Sequence, residues 1–190
     1  MNKHFAALAL IVAASSATNA LAAPEAYVIE GKHTFPRFSY SHLGLSTQVL
    51  RFNKTSGKIV VDKETKTGSI DVVIDAKSVD TGLPTFDEHI QNEDFFYTEK
   101  FPVATFKSDK IVFSGDQPQK IEGLLTIKGI TKPMVLTVTS FKQMPHPMLK
   151  KDTIGADAFG FVKRSDFNMG KGASVGDEIR IDIAVEAIHE

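Results

Sequence analysis

The chain has 190 residues, with 22 Lys plus Arg against 23 Asp plus Glu. So balanced a charge gives no electrostatic basis for nucleic acid, and at most transient contact with a membrane. A composition that is 42% hydrophobic and 24% charged excludes a disordered chain and a multi-span membrane protein, and the lack of cysteine excludes disulfides, thiolate nucleophiles and iron–sulfur clusters.

The first element is a targeting segment. Met1 to Ala22 opens with Lys3, continues through the apolar stretch Phe5 to Ala14, turns polar at Ser15 to Asn19 and closes on Ala20, Leu21 and Ala22. That order is the order of a secretory signal peptide, with cleavage expected before Ala23. The apolar run is about half the ~20 residues a membrane-spanning helix needs. No Cys follows to carry a lipid anchor, so the expected destination is the periplasm. Ala23 to Glu190 reads as one domain: no repeat, heptad run or low-complexity tract interrupts it, and Met144 to Pro147 is too short for a linker.

Period-two alternation then recurs along the chain and predicts strands with one buried face. It runs over Phe38–His42, Ile70–Ala76, Ala104–Ser108 with Ile111 and Phe113 beyond, Ile121–Ile127, Met134–Val138 and Ile179–Val185. Turn residues separate these runs at Lys66–Gly68, Ser114–Asp116, Lys128–Pro133 and Ser174–Asp177. The exception is Leu83 to Tyr97, where Pro84 followed by Asp87 and Glu88 predicts one short helix. The fold class is all-β, an antiparallel sheet of seven or eight strands with one helical excursion. Such a sheet covers its apolar face with a second sheet or by closing on itself, and a closed interior either fills with side chains or holds a ligand. Alternation alone does not choose.

Few residues point to chemistry. His33, His42 and His89 are scattered with Asp87 and Asp94, but none forms an i, i+4 ligand pair on a long helix, so ordinary hydrogen-bonded histidines are expected and no metal site. There is no Gly-x-Ser-x-Gly elbow. Asp87 with Asp94 as an acid/base couple has nothing to mark it among the other carboxylates, and Gly123 and Gly129 suit a bend and a turn better than a phosphate cradle. No catalytic residue is expected. Arg164, close to Asp166 in a strand bearing Phe161 and Phe167, is different, because a charge inside such a strand must be satisfied. A salt bridge to Asp87 or Asp94, locking the helix onto the sheet, is the plainer reading. The functional alternative is recognition of an anionic or carbonyl head group at a barrel mouth.

Four segments taken together resemble the YceI-like family of periplasmic polyisoprenoid-binding, lipocalin-like proteins. They are His33 to Gly44; Ile74 to Gly82; Asp87-Glu88-His89 with Asp94-Phe95-Phe96, Phe101-Pro102 and Phe106-Lys107-Ser108; and Gly123 to Pro133 with Arg164-Ser165-Asp166-Phe167 and Met169. They cover nearly all of the mature chain in the family's order. Two positions depart from the family's glycines, Leu50 ahead of Arg51-Phe52, and Asn168, whose side chain tolerates positive φ.

The resemblance implies an elongated, eight-stranded antiparallel barrel whose apolar bore holds an isoprenoid chain, such as a quinone tail or a polyprenyl lipid, as ligand and with no other cofactor. Fourteen Phe against three Tyr and no Trp suit such a bore. Its wall would be Phe38, Tyr40, His42, Val72, Ile74, Phe106, Leu125, Ile127, Leu136, Val138, Ile181 and Ile183, with Asp87, His89, Asp94 and Arg164 as head-group contacts or structural clamp. A homodimer is compatible with the resemblance. A periplasmic carrier is the leading function; an enzyme acting on an isoprenoid lipid through His89, Asp87 and Arg164, or a stress-related structural protein with a filled barrel, are the alternatives.

Overall fold

A computed structural model of the protein describes residues 23–170 and 175–190. The segment read as a signal peptide lies outside the described residues. In chain order come β1 (Glu25–Ile29), β2 (Arg37–His42), β3 (Ser46–Phe52), β4 (Thr55–Asp62), β5 (Thr67–Asp75), β6 (Val79–Asp80), α1 (Pro84–Ile90), β7 (Val103–Ser114), β8 (Gln117–Ile127), β9 (Ile130–Pro145), β10 (Asp152–Lys163) and β11 (Glu178–His189). All strand pairs are antiparallel, and β1 bonds both β4 and β11, so the ring β1-β4-β5-β7-β8-β9-β10-β11 closes as an eight-stranded barrel.

The other three strands prolong staves of that ring. β1 pairs with the C-terminal end of β11 and β2 with its N-terminal part, β3 pairs with β2 as β4 does with β1, and β6 pairs with β3 as β5 does with β4. Three staves are therefore interrupted, at Glu30–Pro36, Asn53–Lys54 and Ala76–Ser78. The last is a single 3-10 turn capped by Asp75, whose carboxylate accepts from the Lys77 N–H. A twelve-residue stave such as β10 is about 40 Å long, which makes the barrel elongated.

Alternation puts apolar side chains inside. The buried residues form two clusters, one around Tyr27, Phe106, Leu136 and Phe167 and one around Tyr40, Leu50, Phe52 and Phe96, and Val72, Ile127 and Met169 pack against both. Outward positions carry ion pairs such as Lys107–Asp71 at 2.6 Å and Lys110–Glu122 at 2.7 Å. Apolar inside and charged outside is the inverse of a membrane-spanning barrel. Among the described residues, no helix is long and apolar enough to cross a membrane.

Local structure departs from the sequence reading in three places. The turn placed at Lys128–Pro133 is only Lys128–Gly129, both at positive φ (52° and 75°), and β9 already includes Pro133. Ala104–Ser108 and Ile111–Phe113 are one strand, joined by a bulge in which the Ser108 hydroxyl donates to the Glu122 carbonyl at 2.7 Å and accepts from the Lys110 N–H. Arg164–Phe167, read as part of a strand, form a 3-10 turn directly after β10, and Leu50, where the family tends to have glycine, is buried in a continuous β3, paired with Phe38. Asn168 adopts the left-handed conformation (φ 52°, ψ 42°), as its tolerance of positive φ predicts.

Candidate ligand cavity

One end of the barrel is capped by the helical excursion. Pro84 opens α1, and the Asp87 carboxylate accepts the Thr81 N–H at 2.7 Å, fixing the approach to the helix. The Ile90 carbonyl accepts the Phe96 N–H, and the Phe96 ring packs edge-on against Phe52 and Phe38 at 5.3 and 5.8 Å. His89 lies between the Phe86 and Phe95 rings, 5.9 and 5.0 Å away.

The opposite end is closed by polar side chains on inward positions. The Tyr27 hydroxyl lies 2.6 Å from Glu25 Oε2 and 2.8 Å from Asp152 Oδ2, and Gln143 Nε2 donates to it at 2.7 Å. Gln143 also donates to Asp152, and Lys63 pairs with Glu25 at 2.7 Å. Burial pushes the Tyr27 hydroxyl's pKa up, reinforced by its bonds to the two carboxylates. Hydrogen bonds from Lys63 and Tyr27 hold Glu25 below the usual carboxylate range. At Asp152 burial pushes upward, but bonds from Gln143 and Tyr27 outweigh it and the pKa is lowered.

Between these ends lies a cavity of about 400 Å³, within the ~300–1,000 Å³ usual for ligand pockets. It reaches from Ile111, Phe113 and Phe141 above the polar end to Phe86, His89 and Val175 under the cap. All twelve positions read from the sequence as wall, Phe38, Tyr40, His42, Val72, Ile74, Phe106, Leu125, Ile127, Leu136, Val138, Ile181 and Ile183, line it. Sequence reasoning missed Ile59 and Val61 on β4, Ile154 and Ala158 on β10, and Phe86 as a lining residue on α1. The spacing of Ile59 and Val61 carried the same period-two signal as the strands that were read.

The four head-group or clamp candidates separate. His89 and Arg164 line the cavity; Asp87 and Asp94 do not. The expected salt bridge from Arg164 to Asp87 or Asp94 is not formed among the described residues. Instead the guanidinium donates to the carbonyls of Met169, Gly170, Val175 and Gly176 at 2.7–3.3 Å. Asp94 contributes through its backbone, its carbonyl accepting the Gly170 N–H. A carbonyl cluster satisfies a guanidinium as a carboxylate does, because every guanidinium N–H is a donor and each carbonyl oxygen an acceptor.

Few polar atoms face the bore. The Thr34 hydroxyl exchanges hydrogen bonds with the backbone of Glu186. Tyr40 is buried without a hydrogen bond among the described residues, and burial alone pushes its pKa up. Thr55 Oγ1 is buried with no hydrogen-bond partner among the described residues. Among the described residues no group of three His, Asp or Glu side chains could hold a metal ion.

The YceI-like domain profile matches residues 27–187, β1 through all but the end of β11. The chain belongs to the YceI family. Protein YceI of Escherichia coli O157:H7 is 33% identical over 192 residues and a UPF0312 protein of Shewanella denitrificans is 32% identical over 199, each alignment covering all of both chains. Among solved structures, BcnA of Burkholderia cenocepacia superposes with a TM-score of 0.70 at 25% identity, covering 83% of this chain and 98% of its own. A polyisoprenoid-binding domain from Saccharophagus degradans shares the fold at TM-score 0.64 and 16% identity, covering 87% of this chain and 99% of its own. The closed eight-stranded barrel with one short helix is thus the family's architecture.

Proposed function

We propose that this protein is a non-catalytic carrier that holds an isoprenoid lipid in its bore and works in the periplasm after export. The observation that carries this reading is the cavity itself: a wall made mostly of aliphatic and Phe side chains, enclosed by one closed sheet and covered at one end by α1. An isoprenoid tail offers no hydrogen bonds and gains about 0.8 kcal/mol per buried CH₂, so it requires a wall of this kind. The polyisoprenoid-binding description of the Saccharophagus degradans domain of the same fold supports it. Carrier rather than enzyme is favoured because Arg164 is engaged in holding a loop. Tyr40, His42 and His89, which also line the cavity, make no hydrogen bond to one another among the described residues.

The test is organic extraction of protein purified from a periplasmic fraction, with mass spectrometry of the extract and of the intact chain. The expected result is a mature chain beginning at Ala23 and an isoprenoid lipid near one per barrel. An extract without lipid sinks the carrier reading, and a chain retaining Met1 in the membrane fraction sinks the periplasmic one.

A further inference from the structure

The hairpin joining β9 to β10 projects from the polar end of the barrel. β8 starts at Gln117 and pairs with β9 only as far as Lys120 opposite Thr137, so among the described residues 141–145 of β9 are flanked by β10 alone. Its tip is apolar where hairpin turns are ordinarily polar: Met148 is 82% exposed, Leu149 55% and Met144 50%. The turn is held in this shape. His146 Nδ1 accepts the N–H groups of Met148 and Leu149 at 3.2 and 3.1 Å. The His146 N–H donates to the Lys151 carbonyl at 2.7 Å, and the Lys150 N–H to the His146 carbonyl at 2.9 Å.

Lys142, Lys150 and Lys151, all exposed, stand around these apolar side chains, and no Asp or Glu occurs between Ser140 and Asp152. Among the described residues none of the three is in an ion pair, whereas Lys107 and Lys110 on the barrel wall are paired with carboxylates. The β2–β3 hairpin at the opposite end also exposes leucines, Leu43 and Leu45, but no Lys or Arg lies between Ser41 and Leu50.

We propose that the β9–β10 hairpin tip is a docking site for an anionic lipid surface. Met144, Met148 and Leu149 enter the interface, and Lys142, Lys150 and Lys151 meet the head groups. A lysine suits that place because its stem lies along apolar surface while its ammonium stays among the phosphates. A protein partner fits the tip worse, since lysine is depleted from protein interfaces. The proposal goes beyond the carrier reading and does not depend on what the bore holds. Gln143 and Asp152 flank the tip, so docking turns the polar closure toward the bilayer and the helical cap away from it.

The chain has no cysteine, so Met148→Cys and Leu45→Cys can each be labelled at one position with a polarity-sensitive dye. The purified proteins are mixed at physiological ionic strength with vesicles of phosphatidylcholine alone or with added phosphatidylglycerol. The expected result is a blue shift of the dye at position 148 with the anionic vesicles only, and no shift at position 45. In co-sedimentation of unlabelled protein with the anionic vesicles, Lys150→Gln and Lys151→Gln should each bind about fivefold more weakly, the factor that one charge near such a surface contributes. Leu45→Ser should bind as wild type. An unshifted dye at position 148, any shift at position 45, equal binding to uncharged vesicles, or lysine variants that bind as wild type overturns the proposal. So does a blue shift at position 148 that appears without vesicles and grows with protein concentration, which assigns the tip to a second copy of the chain.

Discussion

A guanidinium shared among four carbonyls, as at Arg164, ties residues 169–170 and 175–176 to one side chain. That the charge needed partners was legible from the sequence, because Arg164 stands amid apolar residues. Their identity was not, since main-chain carbonyls of a loop leave no trace in residue type. Arg164→Lys should lower the melting temperature, because a lysine cannot reproduce the fork and each bond to a charged group contributes ~1.5–3 kcal/mol. Asp94→Asn should combine with it additively to within ~0.5 kcal/mol, in a double-mutant cycle followed by thermal melts. Strong coupling would restore the ion pair read from the sequence.

Tyr27 offers a second test at this scale, with a pH signature. Its hydroxyl helps to hold Glu25 and Asp152 below their ordinary values. A depressed carboxylate contributes stability that is present above its unfolded pKa of ~4 and lost as pH falls through the folded value. Tyr27→Phe should therefore cost ~1–3 kcal/mol at neutral pH. Urea unfolding of both proteins across the acid range should show the difference narrowing below pH ~4.

Among elements, the hairpins and the strands with strict alternation were legible: β2, β5, β8 and β11 stand where the pattern placed them, and α1 begins at the expected proline. Of β10, the sequence reading marked only the end that bears Phe161 as strand. Its inward positions include Ala156 and Ala158, and Gly160 interrupts it where a Cβ would come within 2.6 Å of the Val135 carbonyl. Small residues weaken the alternation signal exactly where neighbouring chains approach most closely. Pairing of β1 with both β4 and β11 was likewise invisible, because no residue announces that a stave is broken.

The Lys128–Gly129 turn gives a prediction at this scale. Gly129 has φ 75°, and a Cβ there would lie 2.7 Å from the Phe101 ring, whereas Gly115 has φ 58° and open space around it. Both positions disfavour a side chain by backbone conformation, at ~1 kcal/mol. Gly129→Ala should lower the melting temperature distinctly more than Gly115→Ala, because it adds a collision with Phe101. Equal losses would mean that the ring moves aside freely.

For the whole molecule, the sequence shows which side chains face inward but not whether they meet. Filled core and hollow wall have the same alternation, and only the closed ring of eight strands, held apart by Phe and branched aliphatic side chains, leaves space between them. The polar closure at one end and the helical cap at the other give the bore a direction. Glu25, Tyr27, Gln143 and Asp152 occupy one end; Phe86, His89 and Val175 line the other.

The central claim, that the interior is a lipid site and not a packed core, is tested most directly by measuring lipid content and lipid-free melting temperature in Leu125→Phe and Leu136→Phe. Both side chains line the cavity from β8 and β9. In a hollow bore the larger ring takes room from the tail, so the variants should fold with near-wild-type melting temperatures yet retain less or shorter lipid. In a solid core the same substitutions overpack, costing ~1–3 kcal/mol each. Strong destabilisation of both variants, together with a lipid-free wild type, would contradict the account.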